Sequence, residues 1–350
     1  MSWNTDTNEF ASVPMQWVGP AKITGSVMNE DVMLPLATYE APLWPSVNRG
    51  ARVSAVSGGI QCTLVDERMS RSVILEAPDA AVALDVLRQI EAEFEQLVDV
   101  VGTTSRFAKL KDMHSQIVGN LLYLRFEIFS GDASGHNMVT NASEALLNYL
   151  LGRYPQMQYG SISGNFCTDK KASAVNGILG RGKYVVAEGV ISKKFCARYL
   201  KTTPEKVVQL NIKKNLIGTM IAGGLRSANA HVANMLLGFY LATGQDAANI
   251  VEGSQAITYA DVRGEDLYFS VTLPNLIVGT VGNGKHLPFV RDVMAKLGCD
   301  VDRAPGENAR RLAVICAASV WCGELSLMAA QTNPGELMQA HRRIERKQEA

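Results

Sequence analysis

Along the first 70 residues the apolar positions fall in short β-type runs broken by Gly and Pro, with no long helical period. From Ser72 the pattern sharpens. "SVILEA" reads as a strand, and after Pro78 the side chain of Asp79 is placed to cap a helix. In that helix Leu84, Leu87, Ile90, Phe94 and Leu97 recur every three or four positions. "SRFAKLKDMHSQI" and "NLLYLRFEIF" then read as two strands joined by the hairpin signal "VGN". The loop "SGDASGHN" leads into a second helix, "MVTNASEALLNYLLGRY", and "MQYGSISG" closes as a strand. The order β-α-β-β-α-β is that of a ferredoxin-like unit. The chain therefore reads as α+β, with a small domain at 72–162 inserted into a large one made of 1–71 and 163–350.

Beyond Gly164 the apolar runs become long and rich in Ala, Gly and Met, as closely packed helices require. "LIGTMIAGGLRSANAHVANMLLGFYLATG" and "RRLAVICAASVWCGELSLMAA" carry this pattern, and "EDLYFSVTLPNLIVGTVG" is the clear strand-like return. The apolar run around Glu324 is closest to a membrane span, but that acid and its short length favour a buried helix. The charged end, "QAHRRIERKQEA", reads as mobile.

Composition narrows the function classes. The 350 residues hold 34 basic and 34 acidic side chains, so no electrostatic footprint for nucleic acid exists. The polar start "MSWNTDTNEF" lacks the pattern of a signal peptide, and the six scattered cysteines suit neither a disulfide framework nor a zinc site. The cytoplasm is the expected compartment, with neither a membrane nor a metal expected.

One motif points elsewhere at first. "GTVGNGKH", Gly279 to His286, fits the G-x-x-x-x-G-K of a phosphate-binding loop. Such a loop needs a hydroxyl after its Lys to hold Mg²⁺, and His286 offers none; Pro288 also falls where the helix should be under way. A nucleoside triphosphatase is not expected. Lys285 is then either a phosphate contact or a solvated charge.

Three polar clusters carry more. Glu40 stands among prolines ahead of Asn48 and Arg49; Asp169, Lys170 and Lys171 form "DKK"; Asn229, His231 and Asn234 precede Asp246. Singly, these read as solvated loop charges or a hydrogen-bonded core histidine. Together, a Glu, a Lys and an Asp in Gly/Ala-rich surroundings are parts for stabilising an oxyanion and supplying a proton.

With "LPLATYEAPLWPSVNRG", "SRFAKL", "RFEIFSGDASGHNMV", "SGNFCTDKKASAVNGILGRGK", "NAHVAN…LATGQDAANIVE", "DLYFSVTLPNLIVGTVGNG" and "CGELSLMAA" in this order, the chain resembles 3-hydroxy-3-methylglutaryl-coenzyme A (HMG-CoA) reductase. The likeness is to the soluble catalytic portion, runs from Leu34 to His341, and is closer to the biosynthetic, NADPH-using branch. It implies reduction of HMG-CoA to mevalonate and CoA with two NADPH. It also implies a homodimer or homotetramer with active sites between subunits.

By the same resemblance Lys170 stabilises the carbonyl oxyanion, Glu40 gives a proton to the aldehyde oxygen, and a buried Asp246 bonds to both. His341 protonates the departing thiolate. Arg71, with Ser163, Asn165, Asp169 and Lys171, would hold the substrate, and Asn234 would stand near Lys170. Ser105 and Arg106 would read the 2′-phosphate of NADPH. Asp132, Ser134, Gly135, His136 and Asn137 would form the dinucleotide loop, with Gly282 and Gly284 allowing close approach. The chain departs from the family at Ser134 and His136, where two methionines are usual, and at Asn283 and Lys285, which replace a Gly and a Thr. The family motif before "VGPA" is also eroded. An NADH-preferring or mevalonate-oxidising relative, or a catalytically weak assembly homologue, are the alternatives.

Overall fold

The computed structural model describes residues 11–282 and 284–345, with backbone alone for 340, 341 and 343–345. The described chain begins with an antiparallel hairpin, β1 (Met15–Thr24) and β2 (Glu30–Ala37), followed by α1 (Leu43–Val56) and the 17-residue strand β3 (Ile60–Glu76). Next come α2 (Ala80–Ala92), α3 (Phe94–Thr104), β4 (Lys109–Val118), β5 (Leu121–Phe129), α4 (His136–Arg153) and β6 (Gln158–Ser161). After them lie α5 (Ala174–Leu179), β7 (Gly182–Ile191), α6 (Pro204–Leu210), α7 (Val232–Ala242), β8 (Ile257–Arg263) and β9 (Asp266–Leu276). The helices α8 (Pro288–Lys296), α9 (Glu307–Gln331) and α10 (Glu336–Glu345) complete the α+β fold.

One sheet has the order β2-β1-β3-β7-β9-β8, antiparallel apart from a short parallel contact between β1 and β3. β3 then continues into a second, antiparallel sheet of order β6-β3-β5-β4. Its partner changes between Arg68, opposite Gly182 on β7, and Met69, opposite Ile128 on β5. Val73, Leu75, Leu124 and Phe126 of the second sheet bury against Val86, Leu97, Leu146 and Leu150 of α2, α3 and α4. Asp79 caps α2 as expected, accepting from the Val82 amide at 2.9 Å.

The larger core surrounds α9, which is buried along nearly its whole length. Trp321 anchors it, meeting the Phe269 ring edge-on at 5.9 Å and donating from Nε1 to the Phe269 carbonyl at 3.0 Å. By length and apolarity α9 could cross a membrane; here protein atoms cover it.

Gly50 lets α1 lie directly on α9, because a Cβ there would stand 2.2 Å from the Cys322 carbonyl oxygen. Gly50→Ala is therefore expected to cost about 1–3 kcal/mol, the usual range for an overpacked core. Urea unfolding measures it, and an unchanged midpoint would refute the contact.

Several sequence expectations need correction. The first 70 residues do contain a helix, α1, whose buried stripe of Val47, Gly50, Ala51 and Ser54 uses small side chains that a search for large apolar residues misses. The helix expected from Asp79 through Leu97 is two, broken at Glu93, and Leu84 is 39% exposed. β4 starts at Lys109, later than "SRF" suggested. The run from Leu216 is interrupted: a π-helical turn ends at Gly218, and irregular backbone with Gly223 at φ +70° precedes α7. The charged end is helical through Glu345.

Candidate active site

The loop between β6 and α5 presents Lys170 under visible strain. Asn165, Thr168 and Lys170 all take positive φ (56°, 44° and 54°), a conformation non-glycine residues hold only when their surroundings impose it. The imposition is specific. Glu252 Oε1 accepts from the Lys170 amide at 3.1 Å, Ser72 Oγ accepts from the Cys167 amide at 3.2 Å, and Arg125 Nη1 donates to the Phe166 carbonyl at 3.1 Å.

So held, Lys170 Nζ lies 2.7 Å from Asp246 Oδ2, while Asp246 Oδ1 accepts from the Ala248 amide at 3.1 Å. The Asp246 hydrogen bond raises the Lys170 pKa above its ordinary value, so the ammonium is secure at neutral pH. Burial works to raise Asp246, but the Lys170 hydrogen bond and the Ala248 amide hold it below the usual carboxylate value.

Beneath this pair runs a buried network the sequence reading passed over. Arg181, 1% exposed, reaches Glu252 Oε1 at 2.8 Å and Asp169 Oδ1 at 3.0 Å. Asn249 Nδ2 donates to Glu252 Oε1 at 3.0 Å. Burial pushes the Glu252 pKa up despite Arg181. For Asp169, burial opposes the His136 ring and the Arg181 guanidinium, which together hold its carboxyl well below the usual range. The available signal was a charged residue in an apolar run, "NIVEG", and an arginine between glycines, "GRG".

A second cluster gathers at the other end of α7. Glu40 Oε2 accepts from Asn234 Nδ2 at 2.7 Å. His231 Nδ1 lies 2.7 Å from Glu324 Oε1; a carboxylate only accepts, so Nδ1 carries the proton. Glu324, fully buried, also accepts from the Ala230 and His231 amides and from Thr258 Oγ1. Glu40, Leu43, Arg49, His231, Asn234 and Glu336 are among the residues lining a cavity of about 420 Å³. Arg49 Nη1 donates to Glu336 at 2.6 Å and so fastens α10 to α1. His341 is on α10, but its side chain lies outside the described residues.

Asn234 thus pairs with Glu40, and among the described residues no hydrogen bond joins it to the expected neighbour Lys170. From Asn234 to its last residue, Ala242, α7 rises roughly 12 Å, and Asp246, the partner of Lys170, follows beyond that end. Glu40 and the Lys170–Asp246 pair share no hydrogen bond or ion pair among the described residues. Asp246, expected to be buried, has a side chain 46% exposed in the single chain.

On the cofactor side, Gly279 packs against the 132–137 loop so closely that a Cβ would lie 2.2 Å from the Ser134 amide. Val281 and Ala133 form a parallel bridge. Gly135, at φ +102°, starts α4 with no side-chain cap, which leaves the first amides of the helix, including that of Asn137, for an outside acceptor. Asp132 is engaged elsewhere, since its carboxylate accepts from the Gly306 and Ala309 amides at the start of α9, both at 2.9 Å.

Gly282 and Gly284 take φ of +103° and +82°, while Asn283 lies outside the described residues. Lys285 is neither solvated nor free, for Nζ donates to the Gly244 carbonyl and burial lowers its pKa to about 8. Ser105 Oγ accepts from the Phe107 amide at 3.2 Å, and the exposed Arg106 guanidinium lies 4.6 Å from the Phe107 ring centre.

Of the remaining expected residues, Arg71 sits on β3 opposite Phe126, with Nε buried and without a hydrogen-bond partner among the described residues. Ser163 and the exposed Asn165 flank the same loop, and Lys171 points to solvent with Nζ 3.2 Å from the Asp169 carbonyl. Asp112, His114 and Glu127 stand close enough to share an ion. Arg68 and Arg125 already pair with Glu127, so two guanidinium charges oppose a cation there.

Comparison with known proteins gives a consistent result. The family model described as hydroxymethylglutaryl-coenzyme A reductase matches residues 10–346. A 3-hydroxy-3-methylglutaryl-coenzyme A reductase from Aeropyrum pernix is 44% identical over 331 residues, covering 94% of this chain and 78% of its own. One from Pyrococcus horikoshii is 44% identical over 321 residues, covering 91% and 78%. The solved class II enzyme of Streptococcus pneumoniae, bound to NADPH in open conformations, superposes with a TM-score of 0.73 at 19% identity, covering 94% of this chain and 88% of that one. With its sequence matched almost throughout and its fold shared, the chain belongs to the hydroxymethylglutaryl-coenzyme A reductase family.

Proposed function

We propose that the chain reduces (S)-3-hydroxy-3-methylglutaryl-CoA to mevalonate and free CoA, consuming two NADPH and two protons. The observation that carries this reading is the fixed Lys170–Asp246 pair on a strained loop, in a member of this family. NADPH supplies hydride to the carbonyl carbon. As negative charge grows on the carbonyl oxygen, the Lys170 ammonium lies ready to stabilise it without reorganising, because its backbone and side chain are both held. Glu40, oriented by Asn234, gives the proton that completes an alcohol. His341 gives the proton that the departing CoA thiolate requires. Arg71 would meet the substrate carboxylate, for which a partnerless buried Nε is suited.

The residues present fit a dinucleotide. The start of α4 exposes amides, Gly279 lets the facing segment pack directly on the 132–137 loop, and among the described residues the space beside Gly282 is open. We assign 72–162 as the cofactor-binding domain and 1–71 with 163–350 as the substrate-binding one. Six free, buried thiols fit a cytoplasmic setting. The direct test is loss of NADPH absorbance on adding HMG-CoA, with mevalonate and CoA as products; no turnover by folded protein would overturn the reading.

Arg106→Ala tests the cofactor preference. A lost charge-assisted bond to the 2′-phosphate would weaken NADPH about 10- to 100-fold and leave NADH nearly unchanged. Equal effects on both would remove that role.

The two half-sites at opposite ends of α7 support an active site assembled between two copies of the chain. Mixing inactive Glu40→Gln and Lys170→Ala proteins under subunit exchange should then restore activity, about a quarter of wild type for a dimer. No recovery in a verified mixed oligomer would place each site within one chain.

A further inference from the structure

His136 is the first residue of α4, yet its ring reaches out of the cofactor loop into the buried network below Lys170. Nε2 lies 3.2 Å from Asn249 Nδ2 and 3.5 Å from Asp169 Oδ1. Both contacts lead to the reacting pair. Asn249 ends the turn that Asp246 caps, and Asp169 immediately precedes Lys170.

They also converge on one buried carboxylate. Glu252 Oε1 accepts from Asn249 Nδ2, from Arg181 Nη1 and from the Lys170 amide. Because Glu252 fixes the Asn249 amide with Nδ2 towards the ring, a neutral His136 accepts there through Nε2. Asp169 Oδ1 is buried with no hydrogen-bond partner among the described residues, and the other tautomer of the ring, with its proton on Nε2, would donate towards it. The tautomer thus decides which partner His136 serves. Asp132 of the same loop has its carboxylate committed to α9 and makes no such link.

We propose that His136 is a positioning residue that couples the cofactor loop to the geometry of the Lys170–Asp246 pair. This rests on the functional reading above. A side chain lacking nitrogen would leave the Asn249 amide one acceptor short and would let the two loops move independently.

The test compares His136→Met, which keeps length and bulk, with His136→Gln, whose amide can accept from Asn249. In the full-length enzyme His136→Met should lower kcat about ten-fold, as small misplacements of catalytic groups do, with KM for HMG-CoA within about two-fold. His136→Gln should recover most of that loss, and both variants should unfold at the wild-type temperature. A second readout needs no turnover. The imidazole Cε1–H resonance of His136, identified by its absence in His136→Gln, should shift on adding NADPH alone and should shift again in Asp169→Asn.

A His136→Met enzyme with wild-type kcat, a loss that Gln does not rescue, or a resonance indifferent to Asp169→Asn would overturn the proposal. Wild-type protein that left HMG-CoA untouched would sink the functional reading alone. The resonance would still uphold or overturn the coupling.

Discussion

Replacing Lys170 with alanine is expected to lower kcat by about 10²–10³-fold while leaving KM for HMG-CoA within a few-fold. That is the usual consequence of removing one preorganised group that stabilises a developing oxyanion. The fold should survive, because the loop is held through the Lys170 amide, Ser72 and Arg125, none of which needs the lysine side chain. Asp246 would then lose the hydrogen bond that holds its pKa down, and its titration should move upward. Single-turnover kinetics and circular dichroism of the same sample separate chemistry from folding. A kcat within three-fold of wild type would remove Lys170 from the mechanism.

The largest expected loss of stability comes from Arg181→Met. Glu252 is fully buried, and Arg181 is its charged partner. Breaking such a pair from one side costs about 3–5 kcal/mol, since a charge is left in the core, whereas removing both partners is often close to neutral. Arg181→Met/Glu252→Leu should therefore be more stable than Arg181→Met alone, although Asp169 still loses a partner. Acid acts on the same cluster through Asp169, the other partner of Arg181. Asp169 has its pKa lowered by folding, so its contribution is full above the unfolded value near 3.9 and is lost as pH falls towards the folded one. Urea titrations at neutral and acid pH measure both effects, and an Arg181→Met cost below about 1 kcal/mol would contradict them.

The sequence disclosed the secondary-structure order of the small sheet because its strands alternate and its helices carry large apolar residues at regular spacing. It concealed α1, where the buried face is built from Gly50, Ala51 and Ser54. It also concealed that the strand read from Ser72 begins as far back as Ile60, because a strand that changes partner without a turn leaves no punctuation. Lys170, Asp246 and Glu40 were found through short motifs of the resembled family. The parts that hold them, Arg181, Glu252 and Asn249, come together only in three dimensions, 71 residues separating the first two. Nor could the sequence indicate that Asn234 belongs with Glu40, since that depends on which end of α7 each residue occupies.

β3 carries a thermodynamic consequence of its own. An autonomous inserted unit could melt first and leave its host intact. Here the strand that pairs with β7 up to Arg68 is the strand that pairs with β5 from Met69 onward. Melting of the smaller sheet would strip the partner from one half of a continuous ribbon and fray the other half at its end. The two sheets are therefore expected to share a single cooperative fate along β3, and the amides near its handover should be among those that exchange last with solvent deuterium.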